Sequence, residues 1–170
     1  MFDRKKAFCL FAMLNVVSLN SFSDDKAIFY LTANIVNNTC EIATIVNDVR
    51  LPVVDAVTLQ NSPAGTGGTG VTPFSFSLTN CGQQASGVQI NFNGNNSGDY
   101  LSISNNSTAN NVAIKIMDAN KNIIPIGGIS QNYDINAGDN ILNFYAEYIA
   151  TGKVTPGTVE AQASFDLIFP

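Results

Sequence analysis

The stretch TVEAQASFDLIFP, Thr158–Pro170, decides the fold. Val159, Ala161, Ala163, Phe165, Leu167 and Phe169 are apolar, while Glu160, Gln162, Ser164 and Asp166 between them are polar; Ile168 alone breaks the alternation. Successive side chains of a strand point to opposite faces, so this pattern reads as a strand with one face in a core. The sequence ends there, and a strand so apolar with nothing after it to pair with invites edge-to-edge aggregation. The question it raises is which strand lies beside it.

The other end reads differently. Arg4, Lys5 and Lys6 form a basic start, and AFCLFAMLNVVSL, Ala7–Leu19, is apolar apart from Asn15 and Ser18. Ser21 and Ser23 flank Phe22 as a cleavage site before Asp24, so Met1–Ser23 reads as a secretory signal peptide, a buried N-terminal helix being the alternative. Cys9 comes too early for a lipoprotein signal, and the apolar run is shorter than the roughly 20 residues a membrane-spanning helix needs, so no direct membrane insertion is expected. Without the signal the chain has 147 residues, enough for one domain with a sizeable core. It then carries 5 basic and 12 acidic side chains, a net charge of −7, and has no basic patch for a phosphate backbone; nucleic acid is not an expected partner.

Cys40 and Cys81 remain after cleavage. Two cysteines in an exported chain read as one disulfide, with two free buried thiols as the alternative. There is no histidine, which removes the usual general base and leaves too few soft ligands for structural zinc, so no cofactor is expected. Asp118, Asp134, Asp139 and Glu147 are scattered carboxylates that read as solvated turn and strand residues rather than as a glycosidase pair. Asp99, Asp118 and Asp139 lack the twelve-residue spacing of a calcium loop. The chain is not expected to be an enzyme.

Between the ends, no stretch shows sustained helical periodicity. Short runs rich in Val, Ile, Phe and Thr recur instead: AIFYLTANIV, CEIATI, VRLPVV (where Pro52 suits an edge or bend), FSFSLTNC, GVQINFNG, YLSIS, NVAIKIMD, NIIPIGG and NILNFYAEYIA. Asn61–Pro73 reads as a flexible loop, and the Asn-rich stretch Asn91–Asn111 as turns around a short strand. Strands at this spacing predict an antiparallel sandwich or barrel.

ANIVNNTCEI, FSFSLTNC, NVAIKIMDANKN and FYAEYIATGKVTPGTVEAQASFDLIFP together resemble a subunit of chaperone–usher fimbriae, of the type 1 major pilin group. The resemblance spans nearly all of the mature chain. It implies an incomplete immunoglobulin-like sandwich lacking its last strand, completed by a donor strand from another molecule, a recognised form of β-strand addition. It also implies a periplasmic chaperone and an outer-membrane usher as partners, neighbouring subunits in a homopolymer, and a fimbria on the surface of a Gram-negative cell. The implied divisions are 1–23 signal peptide, 24–36 donor-strand extension and 37–170 pilin domain. Ala27, Phe29, Leu31, Ala33 and Ile35 share one parity of the extension and would enter a neighbour's groove, with Ala27 standing where the family has glycine. Val159, Ala161, Ala163, Phe165, Leu167, Phe169 and Pro170 would form the acceptor groove and chaperone-binding strand; Phe169 replaces the family's penultimate tyrosine. A major rod subunit is the first reading. A minor or adaptor subunit is the second, and a self-contained carbohydrate-binding module using the Asn91–Asn111 loops is the third.

Overall fold

The protein is described by a computed structural model that covers residues 40–44, 48–62, 70–83, 85 and 87–170. The signal peptide and the 24–36 extension lie outside the described residues, as does most of the Gly-rich loop. Eight strands and one short helix follow in chain order: β1 (Glu41–Thr44), α1 (Ala56–Asn61), β2 (Thr72–Cys81), β3 (Gln89–Gly94), β4 (Asn96–Ser97), β5 (Tyr100–Ser102), β6 (Asn110–Asp118), β7 (Gly138–Thr155) and β8 (Ala163–Ile168). They form a six-stranded sheet in the order β1-β2-β7-β6-β5-β4 and a two-stranded sheet, β3-β8, with every ladder antiparallel. This is the all-β sandwich expected from the alternating runs.

The alternation in β2 makes the inner face. Phe76 and Leu78 are buried and Phe74 is half-buried against them, while Ser75, Ser77 and Thr79 take the other face. Opposite, Val88, Ile90 and Phe92 are buried on and just before β3. The two layers are joined by rings: Phe76 lies 4.1 Å from Phe165 of β8 in a stacked pair, and Phe92 meets Phe144 of β7 edge-on at 5.6 Å. Burying each large apolar side chain contributes roughly 1.5–3 kcal/mol, so this cluster is the main source of cohesion between the sheets.

Cys40 and Cys81 form a disulfide, with Cα atoms 4.2 Å apart and 41 positions between them in sequence. It ties the chain just before β1 to the last residue of β2. At the far end of β6 the buried Asp118 carboxylate organises the following turn. It accepts from the amides of Asn120 and Asn122, both at 2.8 Å, and from the side chains of Asn122 at 2.9 Å and Gln131 at 2.8 Å. Charged acceptors make the stronger hydrogen bonds, which is how a carboxylate stays buried here. Glu147, directly opposite Lys115 across β6 and β7, accepts an ion pair from it at 3.0 Å.

Four expectations need correction. Residues 49–54 (VRLPVV) form no strand; the described chain there runs into α1, whose N-cap is Asp55, accepting from the Thr58 amide at 2.9 Å. The helix is six residues long, too short to show a 3.6-residue period. Residues 122–128 (NIIPIGG) also make no strand, only an isolated bridge from Ile123 to Met117. Thr72 and Pro73, read as loop, open β2, with Pro73 paired to Tyr145. Lastly, the C-terminal ladder is shorter than its pattern, because residues 158–162 are tied to a loop rather than to a strand.

Replacing both cysteines by serine should lower the unfolding free energy by about 4 kcal/mol on the chain-entropy account, read from urea denaturation of the full chain. A loss under about 1 kcal/mol would show that β1 is held by its ladder alone.

Candidate functional site

The strand beside β8 is β3, with Asn91 opposite Asp166 and Phe92 opposite Phe165. The direction of the backbone groups decides what happens on the other edge. The Val88 amide donates to the Tyr133 carbonyl at 2.9 Å, and the carbonyls of Ile90 and Phe92 accept from the amides of Ser130 and Gly127. The backbone of Val88, Ile90 and Phe92 therefore faces the 127–133 segment, and that of Gln89, Asn91 and Asn93 faces β8. In an antiparallel pair hydrogen-bonded and non-hydrogen-bonded positions alternate, so Ile168, Asp166 and Ser164 point their backbone groups at β3. Ala163, Phe165 and Leu167 point theirs the opposite way. Among the described residues β8 has no second partner strand, and no other segment's backbone bonds to 161–169.

The same parity continues upstream. Thr158 accepts from the amides of Thr108 and Ala109 at 3.0 and 3.1 Å, and its own amide donates to Thr108 Oγ1 at 2.8 Å. Glu160 accepts from the Ser104 amide at 2.7 Å and from Ser107 Oγ at 3.0 Å, and donates to Ser107 Oγ at 2.9 Å. The 104–109 loop thus saturates the even residues on the β3 side, ahead of the ladder. Gly157 permits this close crossing, since a Cβ there would strike the backbone of Thr108 and Ala109. Among the described residues this leaves one continuous unpaired edge from Val159 to Phe169, carried by the odd residues.

Those side chains leave the core half-covered. Ala161, Phe165, Leu167 and Phe169 pack against the main cluster yet stay partly exposed, and Val159 packs against Leu59, Ala109 and Val112. Ala163 and Pro170 are exposed and belong to neither cluster. Beside the Val159 end are two cavities that share Leu51, Tyr148 and Val159. One, about 500 Å³, is walled by Pro52, Val53, Val54 and Leu59. The other, about 590 Å³, has a polar rim of Asp48, Arg50, Asn106 and Glu160. Arg50 Nε pairs with Asp48 Oδ2 at 2.9 Å in a largely exposed bridge, the kind that contributes under about 1 kcal/mol and leaves the guanidinium ready to exchange partners. Burial raises the Tyr148 phenol above its ordinary 10.0, so the hydroxyl on the floor between the cavities is neutral.

Of the alternating set, Ala161, Phe165, Leu167 and Phe169 thus meet the main cluster and Val159 the second one, while Ala163 stands exposed between them. Ala27, Phe29, Leu31, Ala33 and Ile35 lie outside the described residues. Sequence reasoning missed the second wall, Leu51 to Leu59, and the 104–109 clip. The signal for the first was Asp55 three residues before Thr58, a helix cap. The Thr58 amide holds its carboxylate below the ordinary carboxylate range, so the cap is present at neutral pH and is lost as the pH falls through that lowered value. Within the Asn-rich stretch, the strand residues are engaged internally: Asn93 of β3 donates to Asp166 at 2.8 Å, and of β6 Asn110 donates to Thr155 at 3.0 Å and Asn111 to the Lys153 carbonyl at 2.7 Å.

A family model described as "Fimbrial protein" matches residues 29–170. The chain is 30% identical to the major fimbrial subunit SMF-1 of Stenotrophomonas maltophilia over 175 aligned positions, covering 92% of this chain and 99% of that one. Among solved structures it is similar to a Burkholderia pseudomallei antigen and type I fimbria protein, with TM-score 0.58 and 34% identity, covering 76% of this chain and 88% of that one. It also shares its fold with the P pilus rod subunit PapA, with TM-score 0.61 and 20% identity over 77% of this chain and 99% of that one.

Phe165→Ala should remove the stacked contact with Phe76 and destabilise the chain by about 3 kcal/mol, the low end for a large-to-small change because the ring is only partly buried. Denaturant midpoints of the two proteins measure this; equal midpoints would remove Phe165 from its place as the link between the sheets.

Proposed function

The chain belongs to the fimbrial protein family, and from that premise we propose that its free β8 edge is the acceptor site for a strand donated by a neighbouring subunit. It is a structural subunit of a chaperone–usher fimbria, exported through the periplasm and displayed on the surface of a Gram-negative cell. Its immunoglobulin-like sandwich assembles with other fimbrial subunits. The observation that carries the finer reading is the run of unpaired backbone groups from Val159 to Phe169 beside a half-covered apolar floor.

In this reading Asp24–Val36 of the next copy lies along that edge. Its N–H and C=O groups pair with those of Val159, Ala161, Ala163, Phe165, Leu167 and Phe169, while Phe29, Leu31 and Ile35 cover the floor, with Ala27 and Ala33 at the shallower positions. Burying the three large side chains contributes on the order of 5–9 kcal/mol, and each ladder bond about 1 kcal/mol more. Ordering the extension offsets part of this. Before assembly a periplasmic chaperone lends the missing strand and holds the Pro170 carboxylate, and the usher exchanges it for the next subunit. A segment ahead of Cys40 that can serve as a donor, together with the similarity to a major fimbrial subunit, suits a homopolymeric rod, so we infer a major subunit. Structure, not catalysis, is the whole of this role.

The test moves Asp24–Val36 through a flexible linker to follow Pro170. The grafted chain should be a monomer with a Tm at least 15 °C above the ungrafted one, because a gain of 1 kcal/mol raises Tm by roughly 4 °C for a chain of this size. An ungrafted chain that is already a stable monomer and is unchanged by the graft would replace the subunit reading with that of a self-contained module.

A further inference from the structure

The wall of the apolar cavity ends in a ridge that nothing in the fold explains. Val53 is fully exposed at 103% and Val57, in the first turn of α1, at 67%, with Pro52 exposed beside Val53. Isolated exposed apolar residues are ordinary, but three on one short projection that also lines a functional cavity mark an interaction surface. Resting on the reading above, the covalent chain determines what lies near it. Among the described residues every ladder is antiparallel, and antiparallel pairing is the more stable kind per residue. A donated segment antiparallel to β8 begins near Phe169 and leaves at the Val159 end, where Pro52 and Val53 share the cavity with Val159. From Val36 to the disulfide-fixed Cys40 there are only three intervening residues, so the donor's body begins within about 14 Å of that exit. Immediately after its Cys40 comes β1, with Ile42 also an exposed apolar residue, at 40%.

We propose that Pro52, Val53 and Val57 form a docking ridge for the body of the subunit whose N-terminal segment fills the groove, met there by the Ile42 region of that second copy. The ridge adds a body-to-body contact to the strand exchange and restricts the angle between successive subunits. Its Val57 tip lies outside the cavity lining, so filling the groove with an isolated segment does not require that side chain.

The experiment places a benzophenone-bearing amino acid at Val53 in the full chain, assembles it, irradiates it and maps cross-links by fragment mass spectrometry. A matched control carries the same group at Ile141, 64% exposed on β7. Cross-links from position 53 to residues 40–44 of another copy, absent from the position 141 control, are the expected result. Cross-links confined to residues 24–36 would overturn the ridge and leave the groove standing. No cross-link to another copy in assembled material would overturn both. A second variant, Val57→Asp, at a residue that lines neither cavity, should take up a synthetic 24–36 peptide at the unaltered rate yet form fibres with a persistence length at least halved; fibres of unchanged stiffness would also overturn the ridge.

Discussion

The unmet hydrogen bonds along one edge of β8 are the constraint on which the molecule turns. Backbone N–H and C=O groups have to find partners once water is excluded, and leaving one buried and unpaired costs as much as the bond it lacks. From Val159 to Phe169 the chain satisfies the even residues through β3 and the 104–109 loop and presents the odd ones outward. The same odd residues direct their side chains inward, so the edge that lacks bonds and the floor that lacks cover are two aspects of one vacancy.

The closed part of the fold is correspondingly well determined. Phe76 and Phe165 join the layers through their rings, and the disulfide fixes β1 to β2 at the sheet edge. Asp118 and the Lys115–Glu147 pair place charge inside the fold only where partners are in reach. The polar interior therefore strengthens turns and cross-strand register.

What the sequence disclosed follows from how local each feature is. The alternation in β2, β6, β7 and the C-terminal strand is local, and the sandwich and the inward set from Val159 to Phe169 could be read from it. The disulfide followed from there being two cysteines in an exported chain. The second wall could not be read, because α1 is too short for a period and its cap is a single aspartate. The clip was hidden for a different reason. It depends on the hydroxyls of Ser107 and Thr108 reaching residues about 50 positions away, and hydroxyls in an Asn-rich stretch look the same whether they bond water or a distant backbone. Pattern reports which face a residue presents, but not which remote segment comes to meet it.

The disulfide also determines how the subunit carries load. On the proposed donor-strand reading, force in a fibre under tension enters a subunit along the chain that leads into Cys40. Without the bond it would fall first on the four-residue β1 ladder, which could be peeled away one hydrogen bond at a time. The Cys40–Cys81 bond passes it instead to the end of β2, a ten-residue strand locked between β1 and β7 near the middle of the six-stranded sheet. Resistance to forced unfolding is a matter of rate, set by how much must give way together before anything yields. Here the covalent bond shunts the load past the weakest ladder, turning a tether at the margin of the domain into a handle on its centre.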